Sequence, residues 1–268
     1  MSLSVLEEIK AWDHARRSFS RDRREAKHEP ETRFIRQLLA ADDICLHVGA
    51  SEGRHARVMA ETAPNGRVFC FEPNSYSFAA LRHFVRMHGL KTVEPIHAAV
   101  SDAPGEVVLN VPIKASGKPG RSFGVIGETA GRSEVEVRSI KRERIKAVTL
   151  DGFLAERGLG ADFIRMDIEG AEILALRGAA GLIAAHHPHI LLEIHSVSLK
   201  ENFGSSAEEV VGMLLSAGYR MFGLEGERLA ETTRYNTDAP WKDYFFVHPS
   251  RNERLPQGVF RDLMGQLA

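Results

Sequence analysis

The sequence predicts an α/β protein: a mostly parallel sheet with helices on both faces. Two observations carry that prediction. From residue 43 onward, short apolar runs rich in β-formers alternate with helix-patterned stretches, the rhythm of βα units feeding a parallel sheet. The first of those runs also ends in a glycine-bearing turn that opens a helix, Ile44-Cys-Leu-His-Val-Gly-Ala-Ser-Glu-Gly53. The chain has 268 residues, 43% hydrophobic and 26% charged, enough apolar material for one sizeable core.

Taken in order, the expected strands are Ile44–Gly49, Arg67–Glu72, Thr92–His97, Asp162–Asp167, Ile190–His195, Tyr219–Gly223 and Tyr244–His248. A helix starting near Gly53 joins the first two. Another, with Phe78, Leu81 and Val85 on one face, joins the next two, and both have the length of right-handed crossovers. The rhythm breaks between about 103 and 148. There Asp102-Ala-Pro-Gly105 is turn chemistry leading into the alternating run Glu106–Val111, which predicts a hairpin excursion, and Ala115–Gly120 is rich in loop formers. Residues 1–40 form a separate helical segment, with Leu3, Leu6, Ile9 and Trp12 on one stripe and a basic run through Arg16, Arg17, Arg21, Arg23 and Arg24. This stripe is expected to pack on the core or to seed a homodimer. Residues 251–268 read as a tail.

Composition narrows the partners. A formal charge of −1 offers no general attraction to nucleic acid, which favours a small-molecule acceptor. Cys45 and Cys70 each sit in a buried-strand pattern, so a reducing, cytoplasmic setting is expected, without a disulfide framework or a cysteine zinc site. No leader and no long uncharged apolar stretch is present, so no membrane span is expected.

The chemistry sits at strand ends. Gly49 and Gly53 let the backbone turn sharply and approach a ligand, and the following helix offers free N–H groups. The G-x-x-x-G spacing departs from the dinucleotide pattern G-x-G-x-x-G. Glu72, about twenty residues on at the end of the next strand, is placed to accept hydrogen bonds from ribose hydroxyls. Asp102 is placed for an adenine amino group or for an Asx-turn. Asp167, at the end of a central strand, is a site residue, while Glu169 and Glu172 also suit the following helix start on electrostatic grounds alone.

The ordered series His47-Val-Gly-Ala-Ser-Glu-Gly53, Phe71-Glu-Pro73, Ala99-Val-Ser-Asp102, Thr149-Leu-Asp151, Arg165-Met-Asp-Ile-Glu-Gly-Ala-Glu172 and Leu192-Glu-Ile-His195 resembles the FkbM family of methyltransferases, over roughly residues 43–248. The resemblance implies a Rossmann-like, seven-stranded sheet with the last strand antiparallel, in a domain spanning residues 41–250. It implies transfer of the S-adenosylmethionine methyl group to a hydroxyl of a sugar or natural product. By position, Gly49, Ala50, Ser51 and Gly53 would line the methionine half of the cofactor, Glu72 would hold the ribose and Asp102 would face the adenine. The family usually has Asp where this chain has His47, and Asn where it has Ser51. A neutral His47 would still hydrogen-bond at the cofactor's amino-acid end, whereas a protonated one would oppose its ammonium group.

Methyl transfer to a hydroxyl needs a base. Candidates are His195, Asp167 and Glu193, with His195 first because an ordinary imidazole titrates near neutrality. The same three side chains are also a conceivable divalent-metal set, a reading not favoured here. His186, His187 and His189 read as surface loop and not as a metal cluster. Acceptor contacts are expected from the 113–133 segment, including Lys118 and Arg121, and from Tyr235, Asn236 and Trp241. Two other functions compete: an NAD-dependent oxidoreductase, which leaves Asp167–Glu172 unexplained, and a non-catalytic cofactor-binding or protein-interaction module.

Overall fold

The computed structural model describes residues 3–24, 30–114, 125–126, 137–225, 228–236 and 241–254. Lys118 and Arg121, most of the 113–133 segment and the tail beyond 254 lie outside the described residues. The elements are α1 (Val5–Arg24), α2 (Pro30–Leu38), β1 (Ile44–Val48), α3 (Arg54–Thr62), β2 (Arg67–Phe71), α4 (Ser75–His88), β3 (Val93–Ile96), β4 (Ala99–Val100), β5 (Gly105–Lys114), β6 (Val125–Ile126), β7 (Val137–Val148), α5 (Leu150–Ala155), β8 (Phe163–Met166), α6 (Glu172–Arg177), α7 (Ala180–His186), β9 (His189–His195), α8 (Ser196–Phe203), α9 (Ala207–Ser216), β10 (Arg220–Glu225), β11 (Arg228–Thr232) and β12 (Trp241–Val247), before a final 3₁₀ turn.

The main sheet has eight strands in the order β11-β10-β12-β9-β8-β1-β2-β3. All seven expected strands are present. The eighth, β11, is an antiparallel edge strand paired with β10, too short and too charged in Arg228-Leu-Ala-Glu-Thr232 to show an alternating pattern of its own. The pairs β3–β2, β2–β1, β1–β8 and β8–β9 are parallel, and β12 runs antiparallel between β9 and β10.

Alternation along the strands sorts the core into two layers. Leu46, Val48, Ile164, Met166 and Leu192 pack on the layer holding Phe153, Leu176, Leu182 and Val210 from α5, α6, α7 and α9. Cys45, Phe163, Leu191 and Phe245 pack on the other, with Ile35, Met59 and Leu81 from α2, α3 and α4. On this second face His47, Arg165, Glu193 and Asp243 share the apolar residues' parity, so charged groups enter the interior.

The excursion is a second sheet, β4-β7-β5-β6, dominated by the long antiparallel β5–β7 ribbon. Its return strand escaped the sequence pattern because Lys141-Arg-Glu-Arg144 is charged throughout. Glu143 nevertheless points inward: it accepts from Ser75 N (3.1 Å) and Ser75 Oγ (2.7 Å), and it pairs with Lys141 (3.0 Å). Lys141 in turn reaches Glu7 at 3.4 Å. The ribbon is thereby pinned to the start of α4 and to α1.

Of the expected N-terminal stripe, Leu3 packs on this chain, against Ala11, Ala79 and Ala80, and the rest does not. Ala11, His14, Ala15 and Ser18 are the buried side, because small residues let α1 approach Ala79 and Ala80 of α4 closely. Leu6, Ile9 and Trp12 are 61%, 58% and 48% exposed and so do not pack on this chain's core. Among the described residues, no helix is long and apolar enough to cross a membrane. The histidine cluster packs: His187 stacks on His248 with ring centroids 3.8 Å apart, and His189 is buried at the start of β9.

Asp151 of the Thr149-Leu-Asp151 motif caps α7, accepting from Gly181 N (2.8 Å) and Leu182 N (2.7 Å). Asp151→Ala is expected to cost about 1–2 kcal/mol, read as a lower urea midpoint with an unchanged slope.

Candidate active site

The turn after β1 is held by its neighbours. Gly49 has φ +79°, and a Cβ there would come within 1.8 Å of the Asp167 carbonyl oxygen, so no other residue fits without moving β8. The amides of Gly49 and Ala50 both donate to the Phe71 carbonyl at 3.0 Å, tying the turn to the end of β2. Glu72 follows there. Its carboxylate accepts from Ser51 N (2.7 Å) and Asn74 N (2.9 Å), while the Asn74 side chain caps α4 by accepting from Tyr76 N and Ser77 N. Burial raises Glu72 to about 7 in spite of the two amides that favour its charged form.

These groups border a cleft at the carboxyl ends of the parallel strands, where open α/β sheets bind ligands. Gly49, Ser51 and Glu72 form one wall. Phe71, Ala98, Ala99, Val100 and Leu109 form an apolar slot, and Asp167, Ile168 and Glu169 close the far end.

Gly49, Ser51, Glu72 and Asp167 thus come together as expected from the sequence, and four other residues do not line the cleft. Ala50 is buried behind the turn. Gly53 starts α3 at φ +95°, where a Cβ would press on Leu81 at 2.6 Å; its role is helix packing. Asp102 is exposed, accepts from Ser101 Oγ (3.2 Å) and lies outside the cleft, because the chain at Ser101 turns away to pack against Gly178. His47 is not among the lining residues; it lies on the sheet face that carries Arg165, beside His55, with ring centroids 5.9 Å apart. Burial, with the charges of His55 and Arg165 behind it, holds His47 well below its usual range, so it is neutral. The opposition to a cofactor ammonium group feared from a protonated His47 does not arise.

The far end of the cleft is built around Arg165, on central strand β8 and 3% exposed. Its Nη2 lies 3.2 Å from Glu193, 3.4 Å from Asp243 and 3.5 Å from Asp167, and its Nη1 donates to the Met166 carbonyl at 2.7 Å. Beside it His195 directs Nε2 at Glu193 (3.3 Å) and Asp167 (3.6 Å), and Nδ1 at Glu169 (3.3 Å). Both ring nitrogens face carboxyl groups. Burial would lower the His195 pKa, but contacts with Asp167, Glu193 and Glu169 override it and raise it to about 11. His195 is therefore an imidazolium at neutral pH. It has no lone pair to accept a proton, contrary to the first choice made from its ordinary pKa.

Burial likewise would raise Asp167, yet His195 and Arg165 hold it well below the usual carboxylate range. Burial does prevail at Glu169, raised to about 8, at Glu172, raised to about 7, and at Asp243, raised to about 6. Oxygen and nitrogen atoms of Asp167, Glu193 and His195 lie within 4.8 Å of one another. In this structure Arg165 and His195 pair with its two carboxylates.

Arg165, Asp243 and the role of Glu169 were not assigned from sequence. The available signal was Arg165 itself, a charge inside the apolar strand Asp162-Phe-Ile-Arg-Met-Asp167. Glu169 adopts φ +55° and Gly170 φ +107°, and a Cβ on Gly170 would meet Ser198 Cβ at 2.6 Å. A non-glycine residue at positive φ costs about 1–3 kcal/mol and persists where the surroundings hold it. Of the expected acceptor contacts, Tyr235 packs against the core and the Asn236 amide donates to the Tyr244 hydroxyl (2.9 Å).

Arg165→Met is expected to destabilise by about 3–5 kcal/mol in urea unfolding, because it leaves three carboxylates without their shared cation. The folded protein keeps the His195 proton up to about pH 11, while an unfolded chain releases it near 6.5. That contribution to stability is complete below about pH 6.5 and is lost as pH rises toward 11. Asp167 acts in the other direction, stabilising above its ordinary 3.8 and ceasing to do so as pH falls well below it. His195→Gln should flatten the alkaline decline of the urea midpoint; a decline as steep as that of the wild type would disprove the charged assignment.

The model of the Methyltransferase FkbM domain family matches residues 47–221, well over half of the chain. The chain is similar to 2-O-methyltransferase NoeI of Sinorhizobium fredii (strain NBRC 101917 / NGR234), 30% identical over 150 residues, which are 54% of this chain and 60% of that protein. The match thus spans less than two thirds of the relative's length. In three dimensions it resembles the methyltransferase FkbM from Methylobacillus flagellatus KT, with a TM-score of 0.50 and 17% identity over 78% of this chain and 44% of the other, a likeness of fold. The chain belongs to the FkbM methyltransferase domain family.

Proposed function

We propose that this chain is an S-adenosylmethionine-dependent methyltransferase that acts on oxygen, methylating a hydroxyl of a small molecule, with a saccharide as the acceptor class. The observation that carries the reading is the cleft itself. Glu72 stands at its wall with two amides aligning its carboxylate, an apolar slot lies to one side, and Asp167 and Glu169 lie at the far end. This arrangement suits a nucleoside that carries cationic groups at its other end: Glu72 would hold the ribose hydroxyls, Ala98–Val100 and Leu109 would sandwich the adenine, and the Gly49–Ser51 turn and Asp167 would face the amino-acid end. When bound, the sulfonium supplies an activated methyl group; the protein has to align the hydroxyl and remove its proton. Transfer to oxygen is supported by the relative named as a 2-O-methyltransferase, and the saccharide class is the one that the family resemblance implies. The neutral His47, which is not among the lining residues, speaks against a module disabled for cofactor binding.

Calorimetric titration with S-adenosylmethionine, S-adenosylhomocysteine and NAD tests the first half of this reading. Binding of the two sulfur ligands and not of NAD is expected, weakened at least about tenfold by Glu72→Ala, the loss of a charged hydrogen-bond acceptor. Incubation with a panel of methyl glycosides, read by mass spectrometry for an added methyl ether, tests the second. A folded protein that binds neither sulfur ligand, or one that methylates amines and no hydroxyl, would refute the proposal.

A further inference from the structure

We infer that Glu169 is the group that takes the proton of the acceptor hydroxyl, and that His195 is its positioning residue. The inference rests on the O-methyltransferase reading above. Among the described residues three carboxylates line the cleft, and two are occupied. Glu72 accepts two backbone amides, and Asp167 is paired with both Arg165 and His195. Glu193, which the sequence also suggested, is shared between the same two cations. Glu169 has one charged partner, His195 Nδ1, on Oε2. Its backbone is held at φ +55° by the Gly170 turn packed on α8, which places the side chain at the cleft end beside Asp167.

The charges facing Glu169 set how readily it holds a proton. Burial and the carboxylates of Asp167 after β8, Glu193 on β9 and Glu172 on α6 favour its neutral form, and the His195 imidazolium opposes them; the balance lies at about 8. A base in that range suits proton transfer near neutrality better than Asp167, which is held far too acidic. In the reaction the hydroxyl oxygen bonds to the methyl carbon as the carbon–sulfur bond breaks, and the hydroxyl proton passes to Glu169. The products are the methyl ether, S-adenosylhomocysteine and a protonated Glu169, which returns its proton to water.

The test needs no acceptor at first. Calorimetry at about pH 8, in two buffers of different ionisation heat, measures the protons released when each ligand binds. The cationic S-adenosylmethionine should expel up to about half a proton more than neutral S-adenosylhomocysteine, the share of Glu169 protonated at its own pKa. Glu169→Gln should bind S-adenosylhomocysteine much as the wild type does and lose the difference between the ligands. Glu169→Asn, a residue at ease at positive φ, serves beside it if the first variant does not fold.

With any glycoside that the wild type methylates, Glu169→Gln should lose about 100-fold or more in kcat with KM little changed, and with it the rising limb of the pH profile. His195→Gln should move that limb to higher pH, and His195→Lys should restore it. Equal proton release for the two ligands in the wild type, or a Glu169→Gln enzyme with full kcat, overturns the inference while leaving the methyltransferase reading intact. Failure of the wild type to bind either ligand overturns both. Without a methylated glycoside, the calorimetric comparison decides alone.

Discussion

Arg165 carries a positive charge in the middle of a central strand, away from water, and the far end of the cleft is arranged around that fact. A buried guanidinium is tolerated only when its donors meet acceptors that replace the lost hydration. Here the turn after β8 and the strands β9 and β12 each contribute a carboxylate, and the Met166 carbonyl takes a further donor. Three carboxylates around one arginine still leave negative charge, and His195 answers it as a second cation. The registers that pair β8 with β9 and β9 with β12 are therefore an electrostatic requirement as well as a packing one.

The opposite wall of the cleft is held by hydrogen bonds of the backbone. Gly49 fits against the Asp167 carbonyl only because it has no Cβ, and the same close approach joins the two walls. Moving the turn would shift Ser51 N, and with it Glu72, whose carboxylate is aligned by the turns on either side. The cleft is thus pre-organised at the places where a nucleoside and a charged group are to be received, which lowers the cost of ordering them on binding.

Much of this was legible in the chain. Seven of the eight strands of the main sheet, the crossover helices and the presence of an excursion follow from local periodicity, because a strand buried on both faces must be apolar along its length. Glu72 and Asp167 were legible because strand ends are where open sheets place ligands. Three things were not. The charged return strand β7 hides an inward-pointing Glu143 whose partners, Ser75 and Lys141, are supplied partly by a distant helix. Asp102 looked like part of the site by its distance from a strand end, yet the chain turns away before reaching it. Of the conspicuous N-terminal apolar stripe, Leu6, Ile9 and Trp12 are exposed, and Ala11 makes the buried contact with Ala79 and Ala80.

By itself the sequence determined the fold class, the family and the carboxylates available to the site, since these depend on residue type and local order. The division of roles among those carboxylates was decided only by the tertiary structure. Read from sequence, His195 is a histidine with an ordinary pKa and the natural base. In the folded chain its two nitrogens face carboxyl groups from β9 and the turn after β8, which makes it a fixed cation. The proton affinity of Glu169 rises for a related reason: burial among like charges disfavours its ionised form. Both effects belong to distances between residues far apart or differently oriented in the chain, and no local pattern encodes them.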